Sequence, residues 1–175
     1  MLDLVLLREP PGITMLAPHV IFVDGNETDD QTEEILNRFA DHDDGSLDGM
    51  SISFKDPNMV TGHRDIVSCM APILSVLPSL RGLKQLAVFP NIHEVPDDDV
   101  PGLYHQDVPE KWIVQAAKEL ATSGPSLRYV SPIRNRYFRI LRHFKGPVVE
   151  ELKGREITDV ELFDYCIQSS RLTSS

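Results

Sequence analysis

The chain has 175 residues, 41% of them hydrophobic and 25% charged, which is one domain's worth of sequence with enough apolar material for a core. A formal net charge of −10 excludes non-specific nucleic-acid binding by the whole surface, because a polyanion would be repelled. Nothing approaches the roughly 20 apolar residues of a membrane-spanning helix. The opening MLDLVLLREPPG is a short apolar run with Asp3 where a secretory leader carries positive charge.

Residues 1–168 are expected to form one domain and the serine-rich 169–175 a frayed tail. Cys69 and Cys166 both fall in apolar helical patterns and read as reduced core thiols, which places the chain inside the cell, in cytoplasm or nucleus.

In chain order, Leu2-x-x-Val5-x-Leu7 reads as a strand ended by Glu9-Pro10-Pro11-Gly12. Val20-Ile21-Phe22-Val23 reads as a buried strand, turned by Asp24-Gly25-Asn26. Asp30 and Glu33 form a capping box for a helix with Ile35, Leu36 and Phe39 on its apolar face. Leu47-x-x-Met50-x-Ile52-x-Phe54 reads as a strand. After the loop Lys55–Thr61, the spacing of Ile66, Val67, Met70, Ile73, Leu74 and Leu77 predicts a helix with one buried face. Pro72 predicts a kink or restart inside it, and Pro78 its end. Leu83-x-x-Leu86-x-Val88-Phe89 follows as a strand, with Leu86 and Val88 on one face and Gln85 and Ala87 on the other.

PNIHEVPDDDVPGLYHQ reads as a surface excursion. Asp107 and Glu110 then form a second capping box, with Pro109 in the first turn, for a helix carrying Trp112, Ile113, Ala116, Ala117 and Leu120 and ending at Gly124. Leu127-x-x-Val130 starts another strand. Tyr137–Leu141 and Val148–Leu152 read as a hairpin turning near Lys145-Gly146. Thr158 and Glu161 are expected to cap a last helix with Val160, Leu162, Phe163 and Ile167.

The strand starts Leu47, Leu83 and Leu127 lie 36 and 44 residues apart, longer than the about 20–29 of ordinary leucine-rich repeats. The expected fold is therefore α/β: a degenerate leucine-rich-repeat-like stack of parallel strands with helices on one side, closed by the C-terminal hairpin and helix. PSLRGLKQLAVF after one helix, GPSLRYVSPI after the next, and then YFRILR resemble the C-terminal leucine-rich-repeat region of fungal, mushroom-type F-box-like proteins, over about two-thirds of the chain from Leu47 onward. That resemblance implies the substrate-recognition part of a ubiquitin ligase. No F-box segment is read at the start, so it does not extend to ligase recruitment.

The sharpest enzymatic candidate is VIFVDGNETDD, which looks like the first motif of haloacid-dehalogenase-type phosphatases, with Asp24 as nucleophile and Mg²⁺ screening the phosphate. Asn26 stands where an acid/base is needed, and later motifs map only onto Ser53, Lys55 and Asp98-Asp99. The same stretch fails as a calcium loop, with Asp29 and Ile35 where Gly and Glu belong. His42 between Asp41 and Asp43 lacks any ligand spacing, and no metal or cofactor is expected.

Charge is uneven. Asp24–Asp48 holds ten acids and one base, whereas Arg128–Lys145 holds six bases and no acid. RNRYFRILRHF interleaves bases with aromatics as RNA-binding sheets do, but a charged edge strand with a buried middle reads the same way, and nucleic acid is not the expected partner. The expected partner is another protein. The expected contact residues are those facing away from the helices in each unit: Asp48, Ser51 and Ser53; Lys84, Gln85 and Ala87; Arg128 and Ser131. Leu103 and Tyr104 are candidate apolar anchors.

Overall fold

A computed structural model describes residues 13–17, 20–25, 34, 36–38, 40–41, 47–54, 67, 70–90, 108–133, 135–160 and 162–164. Its frame is one seven-stranded sheet whose strands lie in chain order: β1 (Ile13–Ala17), β2 (Val20–Gly25), β3 (Gly49–Phe54), β4 (Gln85–Pro90), β5 (Tyr129–Ile133), β6 (Arg136–His143) and β7 (Gly146–Glu151). The β2–β3–β4–β5 pairs are parallel. β1 is antiparallel to β2, and β5–β6–β7 are antiparallel. The expected strands at 20–23, 47–54, 83–89 and 127–130 and the hairpin are all present; β1 was not foreseen.

Parallel neighbours need a crossover, and here each crossover packs on the same face. Met50, Ile52, Leu86, Val88 and Val130 share one core with Leu36, with Ile73 and Val76 of α1 (Ala71–Val76), and with Ile113, Ala116, Ala117, Leu120 and Ala121 of α2 (Glu110–Ser123). Leu36 belongs to a helical run among residues 34–41. The period-2 alternation of the strands thus meets the 3.6-period stripes of the helices. Burying each of the Leu, Ile, Val and Met side chains among them contributes roughly 1.5–3 kcal/mol.

Pro72 acts as the sequence suggests. It is the second residue of α1, where a missing amide costs little, so the helix restarts there after Met70 bonds back to the Val67 carbonyl at 3.1 Å. Pro78 sits in the 3₁₀ turn Leu77–Ser79 that ends the run. At the close of α2, a side chain on Gly124 would overlap the buried Leu127, so the close approach of that leucine requires glycine. The hairpin turn Phe144-Lys145 returns through Gly146 at φ +120°, a conformation L side chains rarely adopt.

Three expectations are corrected. α2 has Pro109 as its N-cap with no side-chain capping bond, and Trp112 is 37% exposed. β6 lies between β5 and β7, so the basic strand is internal and β7 is the edge. Thr158 ends a single helical turn, α3 (Arg155–Thr158), and its hydroxyl donates back to the Arg155 carbonyl at 3.0 Å instead of capping a later helix. The strand at Leu2–Leu7, the Asp30–Glu33 box, the loops at 42–46 and 55–61, the excursion at 91–107 with Leu103 and Tyr104, both cysteines, Glu161, Ile167 and the tail lie outside the described residues. Among the described residues no helix is long and apolar enough to cross a membrane.

The other face of the sheet is also covered in part. Ala87, Tyr137, Leu152, Val160, Leu162 and Phe163 form a second core. The Phe163 ring lies 4.7 Å from that of Tyr137 and edge-on to Tyr129 at 6.4 Å. Phe163→Ala should therefore cost about 3–5 kcal/mol, as large core truncations do. Phe144→Ala, at a turn position 94% exposed, should stay within about 0.5 kcal/mol of the parent. Urea unfolding midpoints of the two variants check this contrast.

Candidate functional site: a basic groove at one end of the strands

The three leucine units coincide in space. Met50 pairs with Leu86 and Leu86 with Val130, and Leu47, Leu83 and Leu127 are all buried. The Asp48 carbonyl accepts from the Lys84 and Gln85 amides, both at 2.9 Å. The Lys84 carbonyl accepts from those of Arg128 and Tyr129 at 2.8 and 3.0 Å. Asp48, Lys84 and Arg128 consequently line up in one row at the amino-terminal end of β3, β4 and β5.

The remaining expected contact residues do not stay available. Ser51 is 2% exposed, and Ala87 and Ser131 are fully buried, which corrects the expectation of an open mid-strand face. The C-terminal segment accounts for Ala87, through the Leu152–Phe163 core. Ser131 donates to the Ile133 carbonyl at 2.9 Å. The Gln85 side-chain oxygen accepts from the Leu162 amide at 3.0 Å, so it anchors the chain's own C-terminal segment. The Ser53 side chain lies outside the described residues.

Beside the row is an open groove of about 660 Å³. Its rim carries Arg81, Lys84, Arg128, Arg139 and Arg142, and its walls include Leu127, Tyr129 and Leu141. Among the described residues no carboxylate, histidine or cysteine lines it. The five cations are committed unequally. Lys84 pairs with Asp48. Arg142 donates to the Ala121, Gly124 and Leu127 carbonyls at 3.2, 2.6 and 3.1 Å, satisfying the open carboxyl end of α2. Arg139 pairs with Glu150 at 2.8 Å, which raises its pKa, while its buried Nε–H has no hydrogen-bond partner among the described residues. Arg81 and Arg128 are exposed, and their guanidinium groups make no ion pair or hydrogen bond among the described residues.

Arg136, further along the basic run, is engaged by the fold. Arg136 forks onto both oxygens of Glu110 at 2.7 Å, also holds Glu151, and lies 5.8 Å from the Phe138 ring centroid. Tyr137 and Phe138 are 4% and 2% exposed, so they cannot serve as platforms for stacked bases. The groove contributions of Arg81 and Arg139 were not foreseen in the sequence. Arg81 precedes its strand, outside the alternating pattern, and Arg139 sits in what reads as a uniform basic run.

Comparison with protein-family models, with curated proteins and with solved structures finds no match to this chain.

The hydrogen bond from Arg136 holds Glu110 below its ordinary carboxylate value. Its stabilising contribution is therefore full above about pH 4.5 and fades as pH falls through the lowered value. Glu110 is exposed, so screening keeps the contribution to about 0.2–1 kcal/mol. Glu110→Gln should lower the urea midpoint slightly at pH 7, and the difference from the parent should close as pH falls through the lowered Glu110 value.

Proposed function

We propose that this chain is a protein-interaction module built from stacked, degenerate leucine-rich-repeat-like units, comparable in role to the substrate-holding repeats of F-box-type proteins. The observation that carries the reading is the in-register row of Asp48, Lys84 and Arg128 beside the basic groove. Units of this kind cannot cover their own apolar faces, so they stack and present equivalent side chains in a line. Here the line available to a partner is at the strand ends, because the mid-strand face is occupied by the chain itself. A polar, charged rim of this sort gives specificity and association rate more than raw affinity.

The alternative is a magnesium-dependent phosphatase using Asp24. Asp24 lies at the carboxyl end of β2, in register with Ser53. The described strands run in consecutive order, without the reversal at which open α/β sheets place their ligand crevice.

The test is quantitative affinity purification from the native cells with the parent chain and with the Lys84→Glu, Arg128→Glu double variant. Both side chains are exposed, and losing the Lys84–Asp48 pair should lower the variant's melting temperature by only a few degrees, leaving it folded. The reading expects the proteins enriched by the parent to fall about tenfold or more with the variant. An unchanged set of enriched proteins contradicts it.

A further inference from the structure

From the groove itself we infer that its ligand is a short anionic peptide segment, bound through Arg81 and Arg128. The inference rests on the interaction-module reading and names the chemistry of the partner.

Four observations lead there. First, the groove is cationic against the trend of a chain carrying a net charge of −10, with no acid among the described residues of its lining. Local field in a concave site outweighs a distant net charge once exposed charges beyond about 10 Å are screened. Second, its cations divide into those the fold uses and those it does not. Arg142 is spent on the end of α2 and Lys84 on Asp48, whereas Arg81 and Arg128 present unengaged planar forks that match carboxylate or phosphoryl oxygens in pairs. Third, Arg139 holds Glu150 at 2.8 Å, with Glu156 at 4.0 Å, through exposed pairs of the kind that exchange readily. Fourth, the groove is open, with apolar Leu127 and Leu141 beside the cations. A small metabolite would want most of its surface enclosed. A peptide wants a trough with charge and a few apolar contacts.

A long polyanion fits worse. It would extend over the acidic remainder of the molecule, and the aromatics of β6 are buried.

The experiment is fluorescence anisotropy on the full chain with labelled peptides about a dozen residues long. One series is rich in Asp and Glu, one carries phosphoserines, and one is the Gln/Ser neutral counterpart; a single-stranded RNA is the fourth probe. The expected result is saturable binding of at least one anionic series. It should be about tenfold tighter than the neutral peptide and weaken as salt rises. It should be about tenfold weaker for Arg81→Ala, Arg128→Ala and unchanged for Lys145→Ala, an exposed turn residue that does not line the groove. Comparing the two anionic series tells whether carboxylates or phosphoryl groups supply the charge. The inference is overturned if no anionic peptide binds, if the neutral peptide binds as well, if the Arg81/Arg128 variant binds like the parent, or if RNA binds more tightly than every peptide. If it is overturned while Lys84/Arg128 charge reversal still strips partners in the purification, the module stands and only the ligand class fails. If both tests fail, the module reading fails with it.

Discussion

Two backbone carbonyls mark the constraint on which the rest of this molecule depends. Those of Asp48 and Lys84 each take two consecutive amides from the start of the next strand, and the Arg128 carbonyl passes the pattern on to the Ile140 amide of β6. Each such bond is worth only about 0.5–1.5 kcal/mol net. They report the register more than they enforce it. A slip of one residue would turn Leu86 and Val88 away from the helices and put Gln85 and Ala87 in their place. Losing that burial costs several times what a ladder bond contributes. Apolar packing therefore sets the register, and the register sets which charges stand side by side.

The consequence is an uneven use of positive charge. Among the described bases from Arg128 onward, three are engaged by architecture. Arg136 ties the amino end of α2 to the edge strand, Arg139 crosses to Glu150 on β7, and Arg142 closes the carboxyl end of α2. What is left is a small surplus where the turns before β4 and β5 converge. The C-terminal segment contributes by covering the second face of the sheet, which removes the surface that an open repeat stack would offer and leaves its end exposed.

Much of the frame is legible in the sequence because it rests on periodicity. Leu47-x-x-Met50, Leu83-x-x-Leu86 and Leu127-x-x-Val130 mark three strands, and the stripes through Ile73 and Ile113 mark helices that bury one face. The hairpin was legible from its turn and alternation. β1 was not, because Ile13–Ala17 carries no alternating polar partner and borrows its strand state from β2. The burial of Ser51, Ala87 and Ser131 was not legible either. Small residues facing away from the helices look the same whether solvent or another segment lies over them, and it takes Phe163, distant in sequence, to decide for Ala87. The groove escaped for a similar reason. Its residues come from two turns and a third strand, and no local spacing distinguishes a spare arginine from one such as Arg142 that is bonded to carbonyls.

That distinction is the centre of the account, and arginine-specific dicarbonyl labelling read by mass spectrometry tests it most directly. Reactivity tracks how freely each guanidinium is presented. The account predicts rapid modification of Arg81 and Arg128 and slow modification of Arg136 and Arg142, which are held by carboxylates and carbonyls. Equal labelling of all four, or protection of Arg81 and Arg128 in the isolated chain, would contradict it.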